Sequence, residues 1–136
     1  ETAVHICYGY GIKANTDWKQ TLGSEWRQYE EIFPKIQTSN IDIVSLECQN
    51  SRVPLNLMEL IRGKKVMVGA IDVATGAIET PEEVADTLRK ALEFVDIENL
   101  YPCTNCGMAP LSRNVARGKL SALSAGTEII RKELGI

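Results

Sequence analysis

The chain has 136 residues, of which 44% are hydrophobic and 24% charged, and these values fit one folded domain rather than two domains or a disordered segment. Its 18 acidic and 15 basic residues give a formal net charge of −3, so no general attraction to nucleic acid or to an anionic membrane surface is expected. No apolar run approaches the roughly 20 residues that cross a bilayer, and no leader-like segment opens the chain. We therefore expect a cytoplasmic protein with no membrane or nucleic-acid partner.

Four short apolar runs have the length of buried β-strands and recur along the chain with helical segments between them. These runs comprise residues 3–8, 41–46, 65–71 and 100–103. Nearly continuous apolar character is typical of parallel strands that are covered on both faces. The chain is therefore predicted to be an α/β protein with a parallel sheet.

The segments between and after these strands are predicted to be one loop and four helices. The loop comprises residues 9–23 and is rich in Gly and Asn. Pro34 lies inside the first helical pattern and predicts a kink or an early end there. Thr80, followed by Pro and by a Glu three residues later, predicts a capped start for the third helix. The helical patterns cover residues 26–36, 53–63, 80–95 and 112–134, the last as one long helix or two.

The repeated βα order also predicts the architecture. Four such units are half of an eight-unit TIM barrel, which takes about 250 residues, although four units also suffice for a small open sheet. The length of the chain and its start at Glu1 rather than Met favour the half-barrel and further sequence upstream. We therefore predict a single domain over residues 1–136, the carboxyl-terminal half of a (β/α)8 barrel.

Functional groups in parallel α/β folds lie at the carboxyl ends of strands, and the first strand ends in the sequence His5-Ile6-Cys7. His5 and Cys7 are two residues apart and therefore point the same way from a strand. The second strand ends near Glu47, a carboxylate that needs a cation, a set of donors or solvent at this position. All three side chains can ligate zinc, although a core histidine beside a buried thiol and an acid at a loop rim are the plain alternatives.

The four cysteines are expected to be reduced, because nothing in the sequence marks secretion. Cys48 alternates to the other side of its strand and is expected to pack in the core. Cys103 and Cys106 form a C-x-x-C motif, which fits a redox pair, half of a zinc knuckle, or one metal ligand with a bystander. Taken together, the three strand ends predict a zinc site with His, Cys, Glu and Cys ligands at one edge of the sheet.

The strand-end motifs resemble those of the cobalamin-independent methionine synthase family, in its carboxyl-terminal catalytic barrel and its short core-type homologues. The segments that carry the resemblance are residues 5–7 (HIC), 44–51 (VSLECQNS), 69–73 (GAIDV) and 102–108 (PCTNCGM). They follow the family's His-x-Cys, Glu-x-x-x-Ser, Gly-x-x-Asp and Cys-Gly motifs in order and in spacing. The resemblance extends over nearly the whole chain.

The resemblance implies that His5, Cys7, Glu47 and Cys106 are the ligands of a Zn²⁺ ion, with Cys103 outside the ligand set. It further implies an S-methyltransferase that makes methionine, in which zinc binds the thiol of homocysteine, lowers its pKa and holds it facing a methyl donor. Two thiolates and a carboxylate make the site electron-rich and should keep the bound sulfur nucleophilic. Glu47, as a weakly held ligand, is expected to yield its position to that sulfur.

The resemblance also implies a substrate-binding role for Asp72 and leaves the methyl donor open. Folate-using members usually carry a histidine two residues after this aspartate, where the present chain has Ala74. Short core-type members are associated with other donors, such as a methylated corrinoid. The expected donor is therefore a methylated folate or a corrinoid-type compound.

In the family these motifs belong to the last four units of the barrel. A half-barrel leaves two unpaired strand edges and an uncovered interior, so we expect the missing amino-terminal half or a second copy of the chain to cover them. The isolated chain is then expected to lack methyltransferase activity. The competing hypothesis is a non-enzymatic α/β module in which Cys103 and Cys106 form a redox pair or a structural zinc knuckle.

Overall fold

The computed structural model describes residues 1–136 and contains one four-stranded sheet. All neighbouring strands pair in parallel, and their order in the sheet is their order in the chain. The strands are β1 (Ala3–Ile6), β2 (Ile43–Glu47), β3 (Lys65–Gly69) and β4 (Leu100–Cys103). The predicted α/β class is confirmed, and this strand order is the one that consecutive units of a partial βα barrel produce.

Four α-helices and two short 3-10 segments connect and follow the strands. The α-helices are α1 (Lys13–Lys19), α2 (Tyr29–Gln37), α3 (Pro81–Ala91) and α4 (Arg113–Leu134). The 3-10 segments are Leu55–Ile61 and Ile97–Asn99. None of the helices is both long and apolar enough to span a bilayer.

The helical patterns lie where helices form, and two expectations were wrong, namely a plain loop over residues 9–23 and an α-helix over residues 53–63. Residues 9–23 are not a simple loop, because α1 lies within them. The second helical pattern forms a 3-10 segment instead of an α-helix, and α2 continues past Pro34 to Gln37. The last pattern is one uninterrupted helix, which begins after the Ser112 cap and ends at Gly135 in the left-handed conformation.

The start of α3 follows its sequence signal closely. The Thr80 hydroxyl accepts a hydrogen bond from the backbone N–H of Glu83, and the Glu83 carboxylate accepts one from the backbone N–H of Thr80. This reciprocal pair satisfies two backbone groups that have no partner within the helix. Farther along, α3 packs against α4, where Gly126 allows close approach: a Cβ on this residue would stand 2.5 Å from Cβ of Val84.

The two faces of the sheet have different environments. Alternate residues of β2 and β3, such as Val44 and Val68, are fully buried in the core beneath the helices. On the opposite face, His5 pairs in register with Ser45 of β2, which pairs in turn with Met67 of β3 and then Tyr101 of β4. No helix covers this second row, and Tyr101 is 41% exposed. We call it the open face; it corresponds to the interior of a closed barrel.

Candidate functional site

Three of the predicted ligand side chains meet at the carboxyl-terminal edge of the sheet. Ligand atoms of His5, Cys7 and Cys106 all lie within 4.8 Å of one another. The sulfur atoms of Cys7 and Cys106 are 3.7 Å apart. Two sulfurs that each lie about 2.3 Å from a tetrahedral zinc ion are about 3.8 Å apart, so the spacing of this pair fits zinc.

The turn after β4 brings Cys106 to the two ligands at the end of β1. His5 lies on β1 and Cys7 directly follows it, whereas Cys106 lies in the turn after β4, and β1 and β4 are the two outer strands. In a flat sheet, strands three positions apart are separated by about 14 Å. The turn after β4 spans part of this separation, because it reaches the end of β2, where Asn105 Oδ1 accepts hydrogen bonds from the backbone N–H groups of Cys48 and Gln49.

The imidazole of His5 is held by a residue that the sequence reading did not identify. His5 Nδ1 lies 3.0 Å from the hydroxyl oxygen of Ser45, its register partner on β2. This hydrogen bond orients the ring and leaves Nε2 as the nitrogen available to a metal. Only the strand register indicates that Ser45 is the partner of His5, and this register cannot be predicted from the sequence.

Glu47 lies on the same side of the sheet but outside the group of three ligands. Its side chain is 1% exposed, and both carboxylate oxygens accept hydrogen bonds. Oε1 accepts from the backbone N–H of Tyr8 at 2.6 Å, and Oε2 accepts from the Tyr10 hydroxyl. This acid was expected to need a cation, a set of donors or solvent, and the structure supplies hydrogen-bond donors. Its role as fourth ligand stays a prediction.

The Cys7 thiol favours the protonated state in the absence of a cation. Burial, together with the neighbouring Cys106 thiol and Glu47 carboxylate, raises the pKa of Cys7 to about 11. Burial and the hydrogen bond to Glu47 also raise the pKa of Tyr10, so its hydroxyl remains a donor. A bound divalent cation would reverse this preference of Cys7, because a coordinated cysteine binds as the thiolate.

Asn105, the residue before Cys106, connects the last turn of the site to β2. Its side chain is fully buried, and its Oδ1 accepts hydrogen bonds from the backbone N–H groups of Cys48 at 3.0 Å and Gln49 at 3.2 Å. Its Nδ2 donates to the carbonyl of Gln49 at 2.7 Å and to the Tyr10 hydroxyl at 3.2 Å. All polar atoms of this buried amide are therefore satisfied, which fixes the path of the chain into Cys106.

Asp72 follows β3 at the same edge of the sheet but is not part of the ligand cluster. It is 7% exposed, and its carboxylate accepts hydrogen bonds from Ala74 N–H at 2.8 Å and from Asn50 Nδ2 at 3.3 Å. Its backbone N–H donates to Glu79, whose carboxylate is in turn paired with buried Lys119. The substrate-binding role of Asp72 stays a prediction.

The remaining cysteines lie outside the cluster. Cys48 packs against the hydrophobic core as expected, and burial raises its pKa. Cys103 Sγ lies 4.0 Å from the Ser45 hydroxyl, and burial raises its pKa to about 11. All four cysteines are free, so Cys103 and Cys106 are not joined in a disulfide. The sulfur next to Cys106 is that of Cys7, an arrangement that does not favour a Cys103–Cys106 redox pair.

Comparison with known proteins places this geometry in a family context. A family model described as "Cobalamin-independent synthase, Catalytic domain" matches residues 12–128. This range contains Glu47, Asp72 and Cys106, whereas His5 and Cys7 precede it.

Individual curated proteins are also similar to the chain over most of its length. The chain is 30% identical over 135 residues to a methionine synthase of Sulfurisphaera tokodaii, covering 98% of the chain and 34% of that protein. It is 34% identical over 110 residues to a 2-hydroxypropyl-CoM lyase of Xanthobacter autotrophicus, covering 76% of the chain and 29% of the lyase. The chain thus spans about a third of the length of the curated relatives that it matches.

A solved structure is considerably more similar. The B12-independent methionine synthase from Shewanella sp. W3-18-1, in complex with selenomethionine, superposes with a TM-score of 0.95 at 82% sequence identity. The match covers 98% of the present chain and 39% of the Shewanella chain.

Proposed function

Because the chain belongs to the family of the cobalamin-independent synthase catalytic domain, we propose that it is the zinc-binding part of a methyltransferase that makes methionine from homocysteine. We further propose that it acts in the cytoplasm, where its four free thiols stay reduced. The zinc ligands in this proposal are His5, Cys7 and Cys106, with Glu47 as the fourth ligand until a thiol arrives.

The convergence of His5, Cys7 and Cys106 carries this proposal. Their ligand atoms come from opposite edges of the sheet and still lie within 4.8 Å of one another. An imidazole and two thiols at tetrahedral spacing are a donor set that suits zinc and is unsuited to Mg²⁺ or Ca²⁺, which prefer oxygen ligands.

Each residue has a defined part in the proposed reaction. When bound, zinc supplies a Lewis acid that lowers the pKa of the homocysteine thiol. Ser45 keeps the His5 ring oriented, and the two cysteine thiolates donate electron density that preserves the nucleophilicity of the substrate sulfur. That sulfur forms a bond to the methyl carbon while the bond between this carbon and the donor breaks, and the donor keeps the electron pair.

The methyl donor remains a methylated folate or a corrinoid-type compound in this proposal. Ala74 has no proton to give to a departing folate, and its backbone N–H is engaged with the Asp72 carboxylate. We therefore expect a corrinoid-type donor to be used more readily by the complete enzyme. Methyl transfer from each donor to homocysteine, measured on that enzyme, separates the two.

The partner required for turnover follows from the open face. Residues such as Ser45, Met67 and Tyr101 have no covering layer, and β1 and β4 each keep an unpaired edge. We propose that the remainder of the barrel, or a second copy of the chain, covers this face and supplies groups for the amine and carboxylate of homocysteine. The isolated chain is then expected to bind zinc without catalysing turnover.

Zinc content of matched cysteine variants tests the proposal. Purified wild-type chain is expected to hold about one zinc ion, measured by elemental analysis together with native mass. Cys106→Ser should lose the metal, whereas Cys103→Ser, three residues away, should retain it. Loss of zinc from both variants would instead support the knuckle hypothesis, and a wild-type chain that holds no zinc would support the redox pair. Methionine formation by isolated wild-type chain would contradict the need for a partner.

A further inference from the structure

The Glu47 carboxylate is held by hydrogen-bond donors next to the ligand group of His5, Cys7 and Cys106. Its oxygens accept hydrogen bonds from Tyr8 N–H and from the Tyr10 hydroxyl, and the carboxylate is almost completely buried. Both bonds are made while the carboxylate lies outside the 4.8 Å group formed by the other ligands. In this position each oxygen of the carboxylate has one hydrogen-bond donor without any contact to a metal.

The direction of the hydrogen bond from Tyr10 is determined by its surroundings. Asn105 Oδ1 already accepts two backbone N–H groups, so the other end of this amide must be the NH₂ donor. That donor lies 3.2 Å from the Tyr10 hydroxyl oxygen, which therefore acts as the acceptor in this contact. The single hydroxyl proton of Tyr10 is left for Glu47.

The ring of Tyr10 is also held in place. The ammonium group of Lys19 on α1 lies 4.3 Å from the ring centroid, which is within range of a cation–π interaction. The same ammonium donates to the carbonyl of Gly9. Tyr10 is thus fixed from three sides, by Lys19, Asn105 and Glu47.

We propose that Tyr10 is a positioning residue that stabilises Glu47 in this position away from the metal relative to its metal-bound position, and thereby lets a substrate thiol replace Glu47 as the fourth ligand. This inference rests on the proposed zinc site. A hydrogen bond to a charged group is stronger than a neutral one, and removing it should shift the distribution of Glu47 between its two positions by roughly 10-fold to 100-fold. Asn105 supports Tyr10, because it directs the hydroxyl proton toward Glu47.

The test compares Tyr10→Phe with Tyr29→Phe. Tyr29 is also buried, but its hydroxyl has no hydrogen-bond partner, so its loss controls for removal of a hydroxyl alone. Zinc affinity is measured by competition with a chromophoric chelator, and homocysteine binding by its effect on the absorption spectrum of the Co²⁺-substituted chain. In Tyr10→Phe we expect zinc to be held roughly tenfold more tightly and about tenfold more homocysteine to be needed for the spectral change.

A double-mutant cycle shows whether Tyr10 acts through Glu47. In a Glu47→Gln background, Tyr10→Phe should alter neither measurement, because the charged carboxylate is absent. Circular dichroism of each variant confirms that it is folded, and the cycle provides an independent reading if the single variant is destabilised.

The outcomes separate this inference from the proposed function. A wild-type chain that binds no zinc overturns both. A wild-type chain that binds zinc, combined with unchanged or weaker zinc binding in Tyr10→Phe, overturns the inference alone, since Tyr10 would then support Glu47 as a ligand or have no role. A Co²⁺ spectrum of wild type that does not respond to homocysteine also overturns the inference.

Discussion

The side chain of Asn105 lies directly against the backbone of Gly69, so closely that a Cβ on Gly69 would stand 2.6 Å from Asn105 Oδ1. The same Cβ would be 2.5 Å from the carbonyl oxygen of Leu46 on the neighbouring strand. Glycine at the end of β3 therefore lets the turn that carries Cys106 approach the sheet. This contact links packing at a strand end to the geometry of the candidate metal site.

We predict that Gly69→Ala destabilises the chain by about 1–3 kcal/mol, because neither the β2 backbone nor the satisfied Asn105 amide can move without losing hydrogen bonds. Urea unfolding followed by circular dichroism measures the change. Gly76→Ala is the matched control, since nothing lies within 4 Å of its Cβ position. Equal stability of the two variants would contradict the argument.

Loss of the Ser45 hydroxyl should weaken metal binding. We expect Ser45→Ala to lower zinc affinity by roughly 10-fold to 100-fold, because His5 then loses the partner that orients its ring. Competition with a chelator measures the affinity. Ser121→Ala, at an exposed position on α4, should leave it unchanged. Wild-type affinity in Ser45→Ala would show that the ring is held by other contacts.

The buried ion pair between α4 and the segment before α3 should contribute strongly to stability. Lys119 is fully buried, and its ammonium lies 3.0 Å from each carboxylate oxygen of Glu79. Replacing Lys119 by Met leaves a buried carboxylate without its cation, which costs about 3–5 kcal/mol. The urea midpoint should fall accordingly.

A second lysine on α4 provides the control for this experiment. The side chain of Lys132 is 74% exposed, and its ammonium lies 3.6 Å from Glu128. Because exposed pairs contribute little, Lys132→Met should change stability by less than about 1 kcal/mol. Similar losses in the two variants would mean that burial of the Lys119 pair is not the decisive factor.

The Cys103 thiol should react slowly with alkylating reagents while the chain is folded. Burial raises its pKa from 9.0 to about 11, so at pH 8 the reactive thiolate is roughly 100-fold rarer than in the unfolded chain. Iodoacetamide labelling followed by peptide mass spectrometry measures the rate in both states. The rate in the folded chain should rise about tenfold for each pH unit between 8 and 10. Equal rates in folded and urea-unfolded chain would contradict this.

Local patterns in the sequence determined much of the fold. The four apolar runs predicted the strands because a buried strand needs only a short run of apolar residues, and Thr80 predicted the start of α3 because a capping box forms among neighbouring residues. Ligand-competent side chains at the strand ends, among them His5 and Cys106, were visible for the same reason. These signals extend over only a few residues.

Tertiary structure decided which of these side chains meet. Cys7 and Cys106 are 99 residues apart in the chain, and only the arrangement of the sheet and of the turn after β4 brings their sulfurs to 3.7 Å. The motif resemblance named Cys106 over Cys103, and the arrangement of the turn held by Asn105 is consistent with that choice. The hydrogen bond between Ser45 and His5 depends on strand register, which no local pattern encodes.

The hydrogen-bond donors around Glu47 show the same difference between what local sequence indicates and what tertiary contacts determine. A carboxylate at a strand end was recognisable from the sequence as a functional candidate, because burial of an unpaired acid is costly. The Tyr10 hydroxyl that satisfies it lies 37 residues away, in a segment that was read as an ordinary loop. Residue types and strand ends were thus available from local sequence, whereas ligand pairing and hydrogen-bond partners arose from contacts between distant segments, which only the folded chain creates.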